Sequence, residues 1–116
     1  MRVLLAEDDV SVRETLVDLL AEAGHAATAV GSYAEARALL ETPAWDVLLV
    51  DLVLPGGSGL DLAEHARARG LGAVLCSGHP NSIERVRERG IVLLVKPFSA
   101  RELDLALAAV APPSLH

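Results

Sequence analysis

At 116 residues the chain is long enough for one domain with a real core and too short for two. Some 52% of it is apolar and 22% is charged, the balance of a soluble globular protein, and no apolar run is long enough to span a bilayer. The net charge of -6 argues against nucleic-acid binding by this domain and favours a metal cation or a basic protein surface as partner.

The chain opens on Met1-Arg2-Val3-Leu4-Leu5-Ala6, which Glu7-Asp8-Asp9 cuts short. That stretch is too brief for the apolar core of a signal peptide and predicts a first strand over Val3–Ala6. Val12, Leu16, Leu19, Leu20 and Ala23 then recur at helical spacing, and Gly24 follows as a stop signal. Ala26–Val30 predicts a second strand. Ala36, Leu39 and Leu40 mark a second helix that carries Tyr33, and Trp45 is expected to pack at the entry to a third strand, Val47–Val50. Leu60, Ala63 and Ala66 mark a third helix. Ala73–Cys76 predicts a fourth strand, Ile83 and Val86 a short fourth helix, and Ile91–Val95 a fifth strand. Leu103, Leu107 and Val110 mark a fifth helix. The domain is set at residues 1–111, with 112–116 as a tail or linker. The single Cys76 cannot form an intramolecular disulfide and reads as a small core residue, compatible with a reducing cytoplasm.

Three helix starts show a serine followed three residues later by glutamate: Ser11 and Glu14, Ser32 and Glu35, Ser99 and Glu102. Each serine can accept a bond from a free N–H of the first turn while the acid reaches back. Several of the strands are apolar at every position, as expected where both faces of a parallel sheet are covered. Strands joined through helices run parallel with right-handed crossovers. The predicted fold is therefore α/β, a doubly wound five-stranded parallel sheet with helices on both faces. Ligand sites in such folds lie beyond the carboxyl ends of the strands, at the switch point in strand order.

Chemistry-bearing residues gather at those ends. Glu7, Asp8 and Asp9 follow the first strand, Asp51 the third, Ser77-Gly78 the fourth, and Lys96-Pro97 the fifth. Carboxylates about 4 Å apart repel by roughly 4 kcal/mol at an effective dielectric near 20. One lysine cannot balance three acids, whereas a hard divalent ion can. Mg²⁺ suits a site of few carboxylates that keeps its waters and also takes phosphate oxygens. Asp51 can serve as a ligand and also as a nucleophile, since carboxylates form acyl phosphates. Lys96 can neutralise phosphoryl oxygens, and Ser77 can donate to a new phosphoryl group.

With these residues in place, the sequence resembles the receiver domains of bacterial two-component response regulators. The carriers are Val3–Asp9, then Asp46–Leu60 with its Asp51-Leu52-Val53-Leu54-Pro55-Gly56-Gly57, then Cys76-Ser77-Gly78, and Val95-Lys96-Pro97-Phe98. The resemblance spans nearly the whole chain. It implies a flavodoxin-like strand order of 2-1-3-4-5. It also implies that Asp51 takes a phosphoryl group from a histidine kinase, a phosphotransfer protein or a small donor. Asp8 would bind Mg²⁺ directly and Glu7 through water, with Asp9 as an outer acid and Val53 offering its backbone carbonyl. Arg13, five places after Asp8, supports this register. Ser77 would be the switch hydroxyl and Lys96 the phosphate-binding lysine, with a cis Lys96-Pro97 peptide. The implied protein is a cytoplasmic signalling phosphoacceptor that catalyses only its own phosphorylation and dephosphorylation. It would pass its signal to a downstream protein or to a fused output or kinase domain, without nucleic acid or membrane.

The sequence departs from the family pattern in two places. The strand position three residues before the lysine, usually Tyr or Phe, is Leu93, which has no ring to reorient. The Ser77–Lys96 segment is short, so the fourth helix should be short too. A receiver-like module that binds protein without being phosphorylated is the alternative that Leu93 would suit, and the intact acids and lysine oppose it. A dehalogenase-type phosphatase would carry a second acid two residues after its nucleophile, where this chain has Val53. His25, His65, His79 and His116 show no metal-ligand spacing. Gly56-Gly57 is not a dinucleotide fingerprint, since it follows the third strand and not the first.

Overall fold

The structure, a computed structural model, describes residues 1–78 and 83–112, with residue 83 described by its backbone alone. The expectations for His79, His116 and the tail beyond residue 112 lie outside the described residues. Its elements in chain order are β1 (Arg2–Ala6), α1 (Val10–Glu22), β2 (Ala26–Val30), α2 (Tyr33–Leu39), β3 (Val47–Asp51), β4 (Val53–Leu54), β5 (Gly57–Ser58), α3 (Gly59–Ala68), β6 (Gly72–Ser77), α4 (Ile83–Glu88), β7 (Val92–Val95) and α5 (Ala100–Val110). The five predicted strands are β1, β2, β3, β6 and β7. They form one parallel sheet in the order β2-β1-β3-β6-β7, which is the expected 2-1-3-4-5.

Alternation along the buried strands builds two cores. Leu4, Ala6, Leu48, Val50 and Leu75 face α2, α3 and α4, meeting Ala36, Leu40, Leu62, Ala66 and Val86. Val3, Leu5, Val47, Leu49, Val74 and Cys76 point the other way and meet Leu16 and Leu20 of α1 and Leu103 and Leu107 of α5. Each fully buried leucine contributes about 1.5–3 kcal/mol relative to exposure. A one-residue slip of a central strand would exchange its two cores, so the register is tightly set. It runs Val3↔Val47, Leu49↔Val74 and Leu75↔Leu93. The carboxyl ends of all five strands therefore share one edge.

The helix starts correct one expectation. Ser99 and Glu102 form a full capping box, and Ser32 caps α2 by accepting from the Glu35 N–H. Ser11 caps nothing, because the Asp9 carboxylate accepts from the Val12 N–H at 3.1 Å. An aspartate is as good a cap as a serine, and it comes two residues earlier, so α1 starts at Val10 and takes Ser11 into its first turn. Gly24 ends α1 as expected. Ser58, which sequence reasoning passed over, caps α3 through the Leu60 N–H at 3.2 Å.

Between β3 and α3 the chain makes a hairpin of two residues a side, β4 with β5. Its return brings Gly59 against the end of β3: a Cβ there would lie 2.0 Å from the Asp51 carbonyl oxygen and 2.9 Å from the Leu52 Cα. Both neighbours are backbone and cannot swing away. Gly59→Ala is thus expected to destabilise the protein by about 1–3 kcal/mol, as overpacking does. Urea denaturation checks this, and an unchanged midpoint would show that α3 is not seated on the Asp51 peptide.

Candidate phosphoacceptor and metal site

Asp51 ends β3 and Glu7 follows β1, the two strands between which the strand order reverses. Lys96 follows β7, two strands from Asp51, and its side chain reaches back across the sheet edge. Its Nζ donates to Asp51 Oδ2 at 2.5 Å and to Glu7 Oε2 at 2.9 Å. Lys96 is the only lysine in the sequence. The remaining oxygens are held by backbone. Glu7 Oε1 accepts from the Asp9 N–H at 3.1 Å, and Asp51 Oδ1 accepts from the Val53 N–H at 3.0 Å. Asp8 stands exposed beside them. One carboxylate oxygen each from Glu7, Asp8 and Asp51 lie within 4.8 Å of one another, and this is the only group with such spacing among the described residues.

The three acids differ in setting. The Glu7 side chain is 3% exposed and that of Asp51 14%, against 26% for Lys96. Burial raises the Glu7 pKa above its usual 4.5, and neighbouring Asp51 adds to the rise. Lys96 opposes it but is shared with Asp51. Burial alone would lower the pKa of Lys96, yet its bonds to Asp51 and Glu7 outweigh burial and raise it. The lysine therefore stays charged at any physiological pH. Hard oxygen donors in excess of the one ammonium are a donor set that fits a divalent cation.

Ser77 is buried at the end of β6, one residue beyond Cys76, which pairs with Asp51. Its carbonyl accepts the Lys96 N–H at 2.9 Å, so backbone ties the two positions together. Val53 is 62% exposed and stands two residues after Asp51. The Lys96-Pro97 peptide is cis, as expected. Leu93 is half-buried against the α2–α4 core, and α4 has six residues among the described ones. Cys76 is buried, with its thiol pushed up to about 12 by burial, so it is an inert core residue.

The sequence understated two residues. Arg13 supported the register of the acids, and its Nη1 donates to the Glu7 carbonyl at 3.0 Å, bracing the turn that carries them. Asp9 is the cap of α1 described above, not a member of the three-acid group. The described part of the molecule contains no helix long and apolar enough to cross a membrane.

A family model for the response regulator receiver domain matches residues 3–108. The chain belongs to that family and is a receiver domain of two-component signalling. Among curated relatives it is 37% identical to the sensory transduction protein RegX3 of Mycolicibacterium smegmatis, over 93% of this chain and 49% of that protein. It is 32% identical to the phosphate regulon transcriptional regulatory protein PhoB of Escherichia coli, over 94% of this chain and 51% of that protein. The chain thus spans about half the length of these relatives. Among solved structures it resembles a CheY-like receiver domain from Methylobacillus flagellatus, with a TM-score of 0.83 and 29% identity over 94% of this chain and 97% of that one. The non-phosphorylated HemR receiver domain of Leptospira biflexa gives a TM-score of 0.78 and 30% identity over 93% and 91%.

Removing one surplus charge should relieve the metal-free site. Asp8 is exposed, so its repulsion with the other acids is near the water value, about 1 kcal/mol at contact distance. Asp8→Asn is expected to raise the thermal midpoint of the protein in EDTA at pH 7. The raised Glu7 pKa means the folded chain keeps a proton that the unfolded chain has released. That contribution to stability is full below pH 4.5 and is lost as pH rises through the folded value. Thermal melts from pH 4.5 upward should therefore show a shallower loss for Glu7→Gln than for the wild type, and parallel curves would refute it.

Proposed function

We propose that Asp51 is the phosphoacceptor. The reaction joins a carboxylate oxygen of Asp51 to the phosphorus of the donor, while the bond from phosphorus to the donor's nitrogen or oxygen breaks and its electrons leave with the donor. The observation that carries this reading is the Lys96 ammonium bridging Asp51 and Glu7 at the switch point, with Asp8 open beside them. Lys96 offsets part of the acid pair's charge at rest and would offset that of the phosphoryl oxygens once they arrive, because it remains charged throughout.

Glu7, Asp8 and Asp51, with the Val53 carbonyl, are the residues that would hold Mg²⁺. Exposed Asp8 suits direct contact, whereas Glu7 has one oxygen committed to Lys96 and the other to the Asp9 N–H, which suits contact through water. Bound there, the ion would supply charge neutralisation for the phosphoryl oxygens. Ser77 would donate to the phosphoryl group. Leu93 leaves the switch without a ring, so the signal would travel through the Ser77 end of β6 and the α4–β7–α5 side by aliphatic repacking. The donor would be a histidine kinase or phosphotransfer protein in the cytoplasm, and the domain's catalysis would extend only to its own phosphorylation and dephosphorylation. The receiver would act on a downstream protein or a fused output or kinase domain.

Incubation with acetyl phosphate tests the reading. Intact mass is the readout, because Trp45 lies at the entry end of β3, away from Asp51. Wild type is expected to gain one phosphoryl group, or to bind beryllofluoride, only when Mg²⁺ is present. Asp51→Asn should do neither, and Lys96→Ala should lose at least about ten-fold in rate. A wild-type protein that stays unmodified with Mg²⁺ and donor in excess would overturn the proposal.

A further inference from the structure

The hairpin after Asp51 makes a demand that the acids and lysine do not meet. It has two residues on each side, and a two-stranded hairpin is marginal by itself in water. Val53 is mostly exposed, so its side chain gives little anchorage. Yet the Val53 carbonyl can be aimed only by the backbone that carries it. Leu54 anchors its outgoing side in the α2–α4 core, but the tip and the return strand, Gly57–Ser58, are exposed and must be held from outside.

Tyr33, the first residue of α2, holds it at two points and ties itself to the helix that follows. Its backbone N–H donates to the Pro55 carbonyl at 3.1 Å, at the hairpin tip. Its ring covers Gly57 on the return strand, so closely that a Cβ there would sit 2.3 Å from Cδ2 and 2.5 Å from Cγ. Its hydroxyl donates to the Asp61 carboxylate in the first turn of α3. That bond also raises the phenol pKa. The two glycines of the loop consequently have different tasks. Gly56 takes the φ of 89° that the turn after Pro55 requires, and Gly57 leaves room for the ring.

We infer that Tyr33 is a positioning residue for the metal and phosphoryl site, acting through the Val53–Ser58 hairpin. The chain of contact is short. Tyr33 fixes the hairpin, the hairpin fixes the Val53 peptide, and the Val53 N–H holds Asp51 Oδ1 at 3.0 Å. The inference rests on the phosphoacceptor reading of Asp51.

The test uses Mg²⁺ alone as the probe. Calorimetry measures its affinity, and amide hydrogen exchange in EDTA measures the order of residues 53–58 without any metal. Tyr33→Ala is expected to weaken Mg²⁺ binding about ten-fold, the usual scale for residues that orient a ligand, and to speed exchange across the hairpin. Tyr33→Phe keeps the ring on Gly57 and should stay within about three-fold of wild type. Gly57→Ala should displace the ring and weaken Mg²⁺ binding in the wild-type background, but add little to Tyr33→Ala, where the space is free. A folded Tyr33→Ala protein with wild-type affinity and wild-type exchange overturns the inference, as does full additivity with Gly57→Ala. Should Tyr33→Ala not fold, Gly57→Ala decides alone, and an unchanged affinity overturns it. A wild-type protein that binds no Mg²⁺ overturns the phosphoacceptor reading itself, whereas a wild type that binds beside unaffected variants overturns only the role of Tyr33.

Discussion

A single ammonium group between two carboxylates from different strands holds this edge of the molecule together. Without Lys96, Glu7 and Asp51 would face each other as like charges in a half-buried setting, where the repulsion amounts to several kcal/mol. With it, the pair is tolerated but not balanced, since Asp8 adds a third acid within 4.8 Å. The folded chain thus keeps surplus negative charge at one edge. Stability sacrificed at a functional site in this way has to be recovered elsewhere.

It is recovered in the two aliphatic cores. The central strands β1, β3 and β6 are buried along nearly their whole length, and their alternating side chains lock into helices on both faces. Because the register of those strands is rigid, the residues just beyond their ends need little further positioning. Glu7, Asp51 and Ser77 inherit their places from the sheet. Val53 does not, since it stands on a hairpin outside the sheet, and there contacts from α2 replace sheet order.

That distinction explains what was legible in the sequence. Strands read correctly because uninterrupted apolar runs such as Val47–Val50 have few other places to go in a chain of this size. Asp51 and Lys96 could be placed at one edge because polar residues directly after such runs must emerge there. The start of α1 was misread because Ser11 and Glu14 matched a capping box, while Asp9, already counted with the acids, was the better-placed cap. The β4–β5 hairpin was invisible, as four strand residues give no periodicity to detect. Tyr33 was assigned to the right helix, but its contact with Gly57 spans 24 residues of chain, and no local pattern encodes it. The three-residue spacing of Leu93 from Lys96 was readable, and the half-buried leucine packs into the core as an aliphatic side chain should.

Of the lysine and arginine side chains in this protein, all except Lys96 are arginines. The exception falls where the two residues differ most. A guanidinium is a flat fork that grips one carboxylate edge-on with parallel bonds, and holding two acids from separate strands would force it to abandon that geometry. An ammonium is a compact charge whose donors rotate freely about a flexible stem. It can release one oxygen and take another by turning a bond, with no plane to realign. The position therefore selects for a cation that can follow negative charge as it moves a few ångströms, where an arginine would clamp the resting arrangement in place.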